Sequence, residues 1–335
     1  MVPSGTAALE MGVMLAGVGS GDEVILPSYT FSSTATAILL SGAHPVFCEI
    51  DRSTMNMDPG ALERLITPRT KLIIPIDYAG ASCAVGAITA VARANDVPVM
   101  VDAAQSLNSR DSDGRWVGTR SELAAFSFHE TKNFGCGEGG ALVVNRSDWV
   151  PRAHILQEKG TDRRLVLDGV KSKYGWVDKG SSYLLSDVLA AMLYGQLERM
   201  DEICAARGRV VQAYRRVVEK YVDGGYIDIQ KLAVREVTNN HAFYLLLRSP
   251  EDRAIFLRYL RDKFGVQAYI GYVPLHSFNK GLELGYKPED LPVTEDAAAR
   301  IVRLPVFFDL GEKNENIELA AFAVQETLSH LYPGA

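Results

Sequence analysis

Cysteine is scarce in this chain and never patterned. Its four cysteines, Cys48, Cys83, Cys136 and Cys204, form neither a Cys-x-x-Cys step nor a Cys/His spacing, which argues against a zinc cluster or a disulfide framework. Charge of one sign is lacking too. The 35 Lys and Arg stand against 41 Asp and Glu, a net charge of -6, so the chain carries no basic footprint for a nucleic acid. No apolar run approaches the roughly 20 residues that span a bilayer. The opening MVPSGTAALE has no basic-then-apolar signal pattern. Internal repeats and low-complexity tracts are absent as well. A cytoplasmic globular protein is expected, with no nucleic-acid or membrane partner and no metal.

What is present is ample core and a regular alternation. The 335 residues, 47% apolar and 23% charged, suffice for one large domain and a smaller one. Up to about residue 150, the runs EVILP, PVFCEI, KLIIPID, PVMVD, AAFSF and GALVV have the Val, Ile, Leu and Phe content of strands covered on both faces. Amphipathic stretches such as SSTATAILLSG, DPGALERLI and AVGAITAVARAND separate most of them. The pattern predicts a mostly parallel sheet with helices on both faces. No helix separates AAFSF from GALVV, so the sheet is expected to turn mixed there. Beyond residue 180, SDVLAAMLYGQLERMDEICAARGRVVQAYRRVVEKY reads as one long helix capped near Ser186 and Asp187. HAFYLLLR, EDRAIFLRYLRDKF, VQAYIGYVPLH and IELAAFAVQETLSHLY then read as strand, helix, strand and terminal helix. The predicted layout is a large domain over 1–200 and a small α+β domain over 201–335.

The gap between AAFSF and GALVV holds His129, Glu130, Thr131, Lys132 and Asn133. A solvent loop can hold a lysine, so Lys132 alone decides nothing. PVMVD ends on Asp102, at a strand end where open α/β sheets bind ligands. That carboxylate either caps AAQSL or faces a cation in the crevice. A lysine and a carboxylate at two such margins are the pair that pyridoxal 5'-phosphate needs: an amine for the aldehyde and an acid for the ring nitrogen. SGTAALEMG is a small-residue turn opening a helix, whose free N–H groups suit a phosphate, and Ser127 can add a hydroxyl. GCGEGG precedes a strand rather than joining strand to helix, so it is not a dinucleotide loop.

The stretches PSGTAALE, LPSYTFSSTATA, VDAAQS, FSFHETKN, GEGGAL and GSSYLLSDVLAA occur in an order and spacing that resemble the DegT/StrS-type sugar-nucleotide aminotransferases over essentially the whole chain. The resemblance implies the aspartate-aminotransferase (PLP fold type I) architecture, a three-layer α/β large domain with a smaller C-terminal α+β domain. It implies Lys132 as the Schiff-base lysine, Asp102 as partner of the pyridine nitrogen and Gln105 near the ring hydroxyl. Gly5, Thr6 and Ser127 would hold the phosphate, and Phe31 would stack on the ring. Ser182, in a segment that completes the partner subunit's site, would join them. On the sugar side it implies His129, His241, Tyr244, Tyr272 and His276, with Lys159 and Arg163 of EKGTDRR meeting a nucleotide diphosphate. Many relatives differ at Ser182 and Leu184, and Gly271 replaces a larger residue.

SFHETKN, EKGTDR, KYGW and GSSYLLSD look most like the branch that forms dTDP-4-amino-4,6-dideoxygalactose. The implied reaction moves an amino group from glutamate to the 4-keto group of a dTDP-4-keto-6-deoxyhexose, for surface glycans such as lipopolysaccharide and enterobacterial common antigen. A homodimer with shared sites is implied. Sugar dehydratases of the same fold are the alternative within it, and they carry histidine where this chain has Lys132. A non-catalytic regulatory homologue is the other alternative, kept open because relatives continue further ahead of the phosphate-binding turn, so the large domain is expected to lack its N-terminal segment here.

Overall fold

The computed structural model describes residues 1 to 335. Six strands build the main sheet: β1 (Glu23–Pro27), β2 (His44–Cys48), β3 (Thr70–Ile73), β4 (Met100–Asp102), β5 (Leu123–Ser127) and β6 (Gly140–Val144). β1 pairs in parallel with β2 and β3, and β4 in parallel with β5. Parallel bridges Ile73 to Val99 and Ile76 to Asp102 join the two halves. The order is therefore β2-β1-β3-β4-β5-β6. Only β6 runs antiparallel, against β5. It needs no crossover helix, which is why the chain between β5 and β6 is free to carry Lys132.

Alternate residues of each strand enter opposite cores, as the two-residue period of a strand requires. Val24, Leu26, Leu72, Ile74, Met100, Leu123 and Ala125 pack on one face with α1 (Gly5–Leu15) and α2 (Ser32–Leu40). Ile25, Ile73, Val99, Val101, Ala124 and Phe126 pack on the other with α3 (Val85–Ala94). α4 (Val150–Gln157) adds Ala153 and Leu156 to the first face, and α5 (Asp187–Glu198) adds Leu193 to the second. These are the three layers, and the fold is the expected α/β one.

The predicted single long helix is two. α5 ends and α6 (Met200–Asp223) begins at Arg199, which has the non-helical pair φ -102, ψ 16. The break has a packing reason: Leu193 and Ile203 belong to the core under the main sheet, whereas Val210, Val211, Tyr214 and Val218 belong to a separate core. One straight apolar stripe would have to serve both. That second core lies between α6, α7 (Pro250–Phe264), α9 (Asn314–Leu331) and an antiparallel sheet of β7 (Asp228–Ile229), β8 (Phe243–Leu246) and β9 (Ile301–Leu304). α8 (Pro292–Arg300) leads into β9.

VQAYIGYVPLH is not the predicted strand. It makes a single bridge, Tyr269 to Arg303, and then leaves the sheet at Gly271, whose φ of +74 only glycine adopts readily. A side chain there would strike the Tyr29 hydroxyl. The strand that actually lies beside β8 is β9, within IVRLPVFF.

Candidate active site

Asp102 closes β4 and Ser127 closes β5, both at carboxyl ends of parallel strands and both on the α1/α2 side of the sheet, by their register with Met100 and Ala125. Helix α1 starts beside them. Ser4 is its N-cap and accepts a hydrogen bond from the Ala7 N–H at 3.0 Å, leaving the first-turn N–H groups of Gly5 and Thr6 free for an anion. Gly5 is required here by close approach, since a Cβ on it would lie 2.7 Å from Ser127 Cβ. Thr6 Oγ1 and Ser33 Oγ share a hydrogen bond of 2.8 Å.

A cavity of about 500 Å³ opens onto these groups. Gly5, Thr6, Phe31, Asp102, Gln105, Ser127, His129, Lys132, His241 and Tyr272 all line it. Lys132 and Asp102 therefore face one space, although they come from different segments of the chain. Phe31 is 59% exposed, sits at the N-cap of α2 and points into the cavity rather than into the core. Gln105 is fixed at both ends: Oε1 accepts from the Ala79 N–H at 2.8 Å, and Nε2 donates to the Tyr272 hydroxyl at 3.0 Å.

Asp102 Oδ2 accepts from Thr34 Oγ1 at 2.8 Å, and Oδ1 from the Ala104 N–H at 3.2 Å. Both readings of this residue thus have a counterpart: it holds a turn and it lines the crevice. Burial pushes its pKa up, while those two bonds and Lys132 pull the other way. Burial pushes the Lys132 pKa down, Arg303 pushes it the same way, and Asp102 opposes them. Its neutral amine is correspondingly easier to reach than that of a free lysine.

His241 lines the cavity and is buried. Its Nδ1 is 3.0 Å from Asn133 Oδ1, and Asn133 Nδ2 donates to the Asn239 carbonyl at 2.8 Å. Burial, and then Lys132 and Arg303, hold its pKa well below the usual range, so a neutral imidazole braces the residue next to Lys132. His129 Nδ1 is 2.9 Å from Thr131 Oγ1, and its Nε2 is 3.6 Å from Glu138.

Five expected residues stand outside the cavity. His276 is fully buried, with Nδ1 2.7 Å from Ser28 Oγ and its ring against Phe47. It is a structural group and not a wall of the site. Tyr244 is also a core residue, packed on Tyr78, because its place on β8 points it inward. Lys159 and Arg163 instead pair with Glu158, at 3.6 and 3.5 Å. Ser182 is exposed and bridges to Glu158, on the same outlying segment.

Sequence reading missed Ser4, Ser33, Thr34, Glu138 and Arg303, all of which line the cavity. Ser4 had a signal, a serine immediately before a helix opening. Thr34 had one in its spacing of three from Phe31 on α2. Arg303 had one as a lone cation inside an apolar strand.

A model of the DegT/DnrJ/EryC1/StrS aminotransferase family matches residues 1–318. The chain belongs to that family. Solved structures agree with this family assignment. The aminotransferase TlmJ from Streptoalloteichus hindustanus is 27% identical, with a TM-score of 0.88 over 98% of this chain and 85% of that one. A DegT DnrJ EryC1 StrS aminotransferase from Brucella abortus is 26% identical, with a TM-score of 0.85 over 97% and 84%. S. venezuelae DesV, solved with a ketimine intermediate, is 29% identical, with a TM-score of 0.84 over 97% and 83%. This DegT-family chain is an aminotransferase, and its cofactor is pyridoxal 5'-phosphate. The residues present fit that group: the Gly5 cradle and its hydroxyls suit a phosphate, and a cationic ring nitrogen at Asp102 would offset the burial of the carboxylate. No helix is long and apolar enough to cross a membrane.

Proposed function

We propose that this chain transfers an amino group from glutamate to the 4-keto carbon of a dTDP-4-keto-6-deoxyhexose, forming dTDP-4-amino-4,6-dideoxygalactose for a surface glycan. The observation that carries the reading is that Lys132 and Asp102 line one cavity with an anion cradle at its end. The sugar and the nucleotide rest on the segments SFHETKN, EKGTDR and GSSYLLSD.

In this reading Gly5, Thr6 and Ser127 bind the phosphate, Phe31 covers one face of the ring, and Gln105 meets its hydroxyl. The cofactor supplies an electron sink for the carbon that loses its proton. Asp102 keeps the ring nitrogen protonated, helped by the Thr34 bond that fixes its carboxylate. Lys132 Nζ would hold the cofactor at rest and, once free, would carry the proton from the substrate carbon to the carbon of the cofactor's aldehyde group. His241 holds the Lys132 loop through Asn133. Tyr272 and His129 face the sugar.

A homodimer is part of the proposal. Leu167, Val170, Trp176, Val188 and Tyr194 are exposed, Trp176 by 83%, and an apolar surface of this extent favours a symmetric partner. Ser182, Lys159 and Arg163 lie on that stretch and would serve the second copy's site. We place the domain boundary at residue 200, between α5 and α6, and the protein in the cytoplasm.

The test is product analysis. Purified holoenzyme is given glutamate and dTDP-4-keto-6-deoxyglucose, and the sugar product is read by mass and NMR. An axial 4-amino product with stoichiometric 2-oxoglutarate is expected. Glutamate turnover with a different keto sugar would keep the aminotransferase and replace the substrate.

A further inference from the structure

Ser28 follows β1 directly, and three residues later Phe31 stands at the N-cap of α2 and lines the cavity. Opposite Phe31, residues 272–276 lie in irregular chain that no strand ladder holds. The two segments are instead joined side to side. The Tyr272 N–H donates to the Tyr29 hydroxyl at 3.2 Å, the Leu275 N–H to the Ser28 carbonyl at 3.0 Å, and the His276 N–H to Ser28 Oγ at 3.0 Å. Ser28 Oγ also lies 2.7 Å from His276 Nδ1. Both of these side chains are fully buried, and the Phe47 ring closes over the imidazole.

These contacts fix the proton on the ring. Ser28 Oγ already accepts from the His276 N–H, so its own hydrogen is the one left to donate, and Nδ1 is the acceptor in reach. On the far side, Nε2 contacts the Pro288 carbonyl at 3.5 Å. A carbonyl only accepts, so Nε2 carries the proton there. Glu295 Oε1, a buried oxygen with no hydrogen-bond partner, lies 3.5 Å from the same nitrogen and favours the N–H as well. Both ends of the ring demand one tautomer.

We propose that His276 is a positioning residue for the reaction: in its Nε2–H form it locks Ser28 to residues 272–276 and so sets the gap between Phe31 and Tyr272, which a substrate must enter. Those two rings stand 6.3 Å apart between centroids, tilted by 48°. The proposal rests on the functional reading above, in which Phe31 covers the cofactor ring and Tyr272 faces the sugar. Neither ring belongs to a strand, so the width of the gap is held by side-chain bonds. A buried, fully paired network resists loosening more than an exposed one does. The ring spans both of its contacts because it accepts at one atom and donates at another. An asparagine amide in its place reaches Ser28 alone, and a glutamine amide reaches only the side of Pro288 and Glu295.

The test compares holoenzyme of wild type, His276→Asn and His276→Gln. Both variants lose a buried ring, so their melting temperatures should fall by similar amounts. Their kinetics should part. His276→Gln is expected to raise KM for dTDP-4-keto-6-deoxyglucose by about tenfold with kcat within about threefold, whereas His276→Asn, which keeps the bond to Ser28, should return KM to within about threefold of wild type. The visible circular dichroism of the bound cofactor, which senses how Phe31 lies on its ring, should weaken in His276→Gln and recover in His276→Asn. Equal KM values and equal dichroism in the two variants would mean packing alone and would overturn the inference. Nitrogen-15 NMR of histidine-labelled wild type gives a check that needs no variant to fold: a protonated Nδ1 at His276 would overturn it as well. If wild type does not convert the keto sugar, the substrate reading has failed, and the dichroism contrast and the tautomer still decide the role of His276.

Discussion

On the sheet side, the cavity is lined by groups that the backbone fixes: Asp102 and Ser127 at strand ends, Gly5 and Thr6 in a helix's first turn, and Phe31 at a helix start. On the other side it is lined by His241 and Tyr272, which lie in irregular chain, and by Arg303. The first wall has little freedom, because moving any member means shifting a strand register or a helix. The second is held by side-chain bonds such as Gln105 to Tyr272 and His241 to Asn133. A cofactor that stays through every cycle suits the first wall. Two substrates that alternate suit the second.

Changes on the sheet side should therefore abolish loading or chemistry, and changes opposite should retune substrate. The largest effect is expected for Lys132→Ala. Its kcat should fall by about a thousandfold or more, with the visible cofactor band lost. Its melting temperature should stay near wild type, since Lys132 makes no ion pair that holds the fold. A Lys132→Ala protein with full turnover would end the distinction between the walls.

Asp77, just below the sheet-side wall, gives a pH test. It is buried, accepts from the Cys83 N–H and the Ser106 hydroxyl, both at 2.7 Å, and burial pushes its pKa up to about 6. An unfolded aspartate titrates at about 3.9. The native state therefore binds the proton more tightly, and stability present at pH 4 is lost as pH rises through 6. A few kcal/mol, on the order of two to three, are at stake. Urea unfolding from pH 4 to 7 should show this slope in wild type and a flatter one in Asp77→Asn.

Gly5→Ala comes next. The added methyl meets Ser127, so α1 must back away, at a cost of about 1–3 kcal/mol in stability. Cofactor affinity should weaken by about tenfold, measured by equilibrium dialysis. The smallest effect is expected across the cavity. Tyr272→Phe removes the hydroxyl that Gln105 bonds, which is worth about 1 kcal/mol. The cofactor band should be unchanged while substrate KM rises severalfold. If Tyr272→Phe loses cofactor and Gly5→Ala keeps it, the assignment of the walls is reversed.

The same contrast explains how much was legible from residues alone. EVILP, PVMVD, AAFSF and GALVV announced the sheet because buried strands need unbroken apolar runs, and the one gap without a helix pointed to Lys132. Gly5 and Asp102 were readable because turn and strand-end positions are local facts. The opposite wall depends on contacts between segments far apart in sequence, such as Gln105 with Tyr272. His276 and Tyr244 carry suitable chemistry yet are turned inward by Ser28 and by the β8 register. VQAYIGYVPLH had strand composition, and Gly271 with the adjoining Tyr29 overrode it. Arg303 had a sequence signal as a lone cation within IVRLPVFF, but the cavity it lines showed only in the fold.

The register of the main sheet gives it a reactive face and a silent one. Met100 shares its orientation with Asp102, and Leu123 and Ala125 share theirs with Ser127, so the carboxylate and the hydroxyl at the strand ends both emerge on the side of α1 and α2. Helix α3 packs beneath, and none of its residues lines the cavity. Sequence drift in α3 is then constrained chiefly by the volume it fills, whereas drift in α1 and α2 has also to keep the strand-end groups open to the cavity.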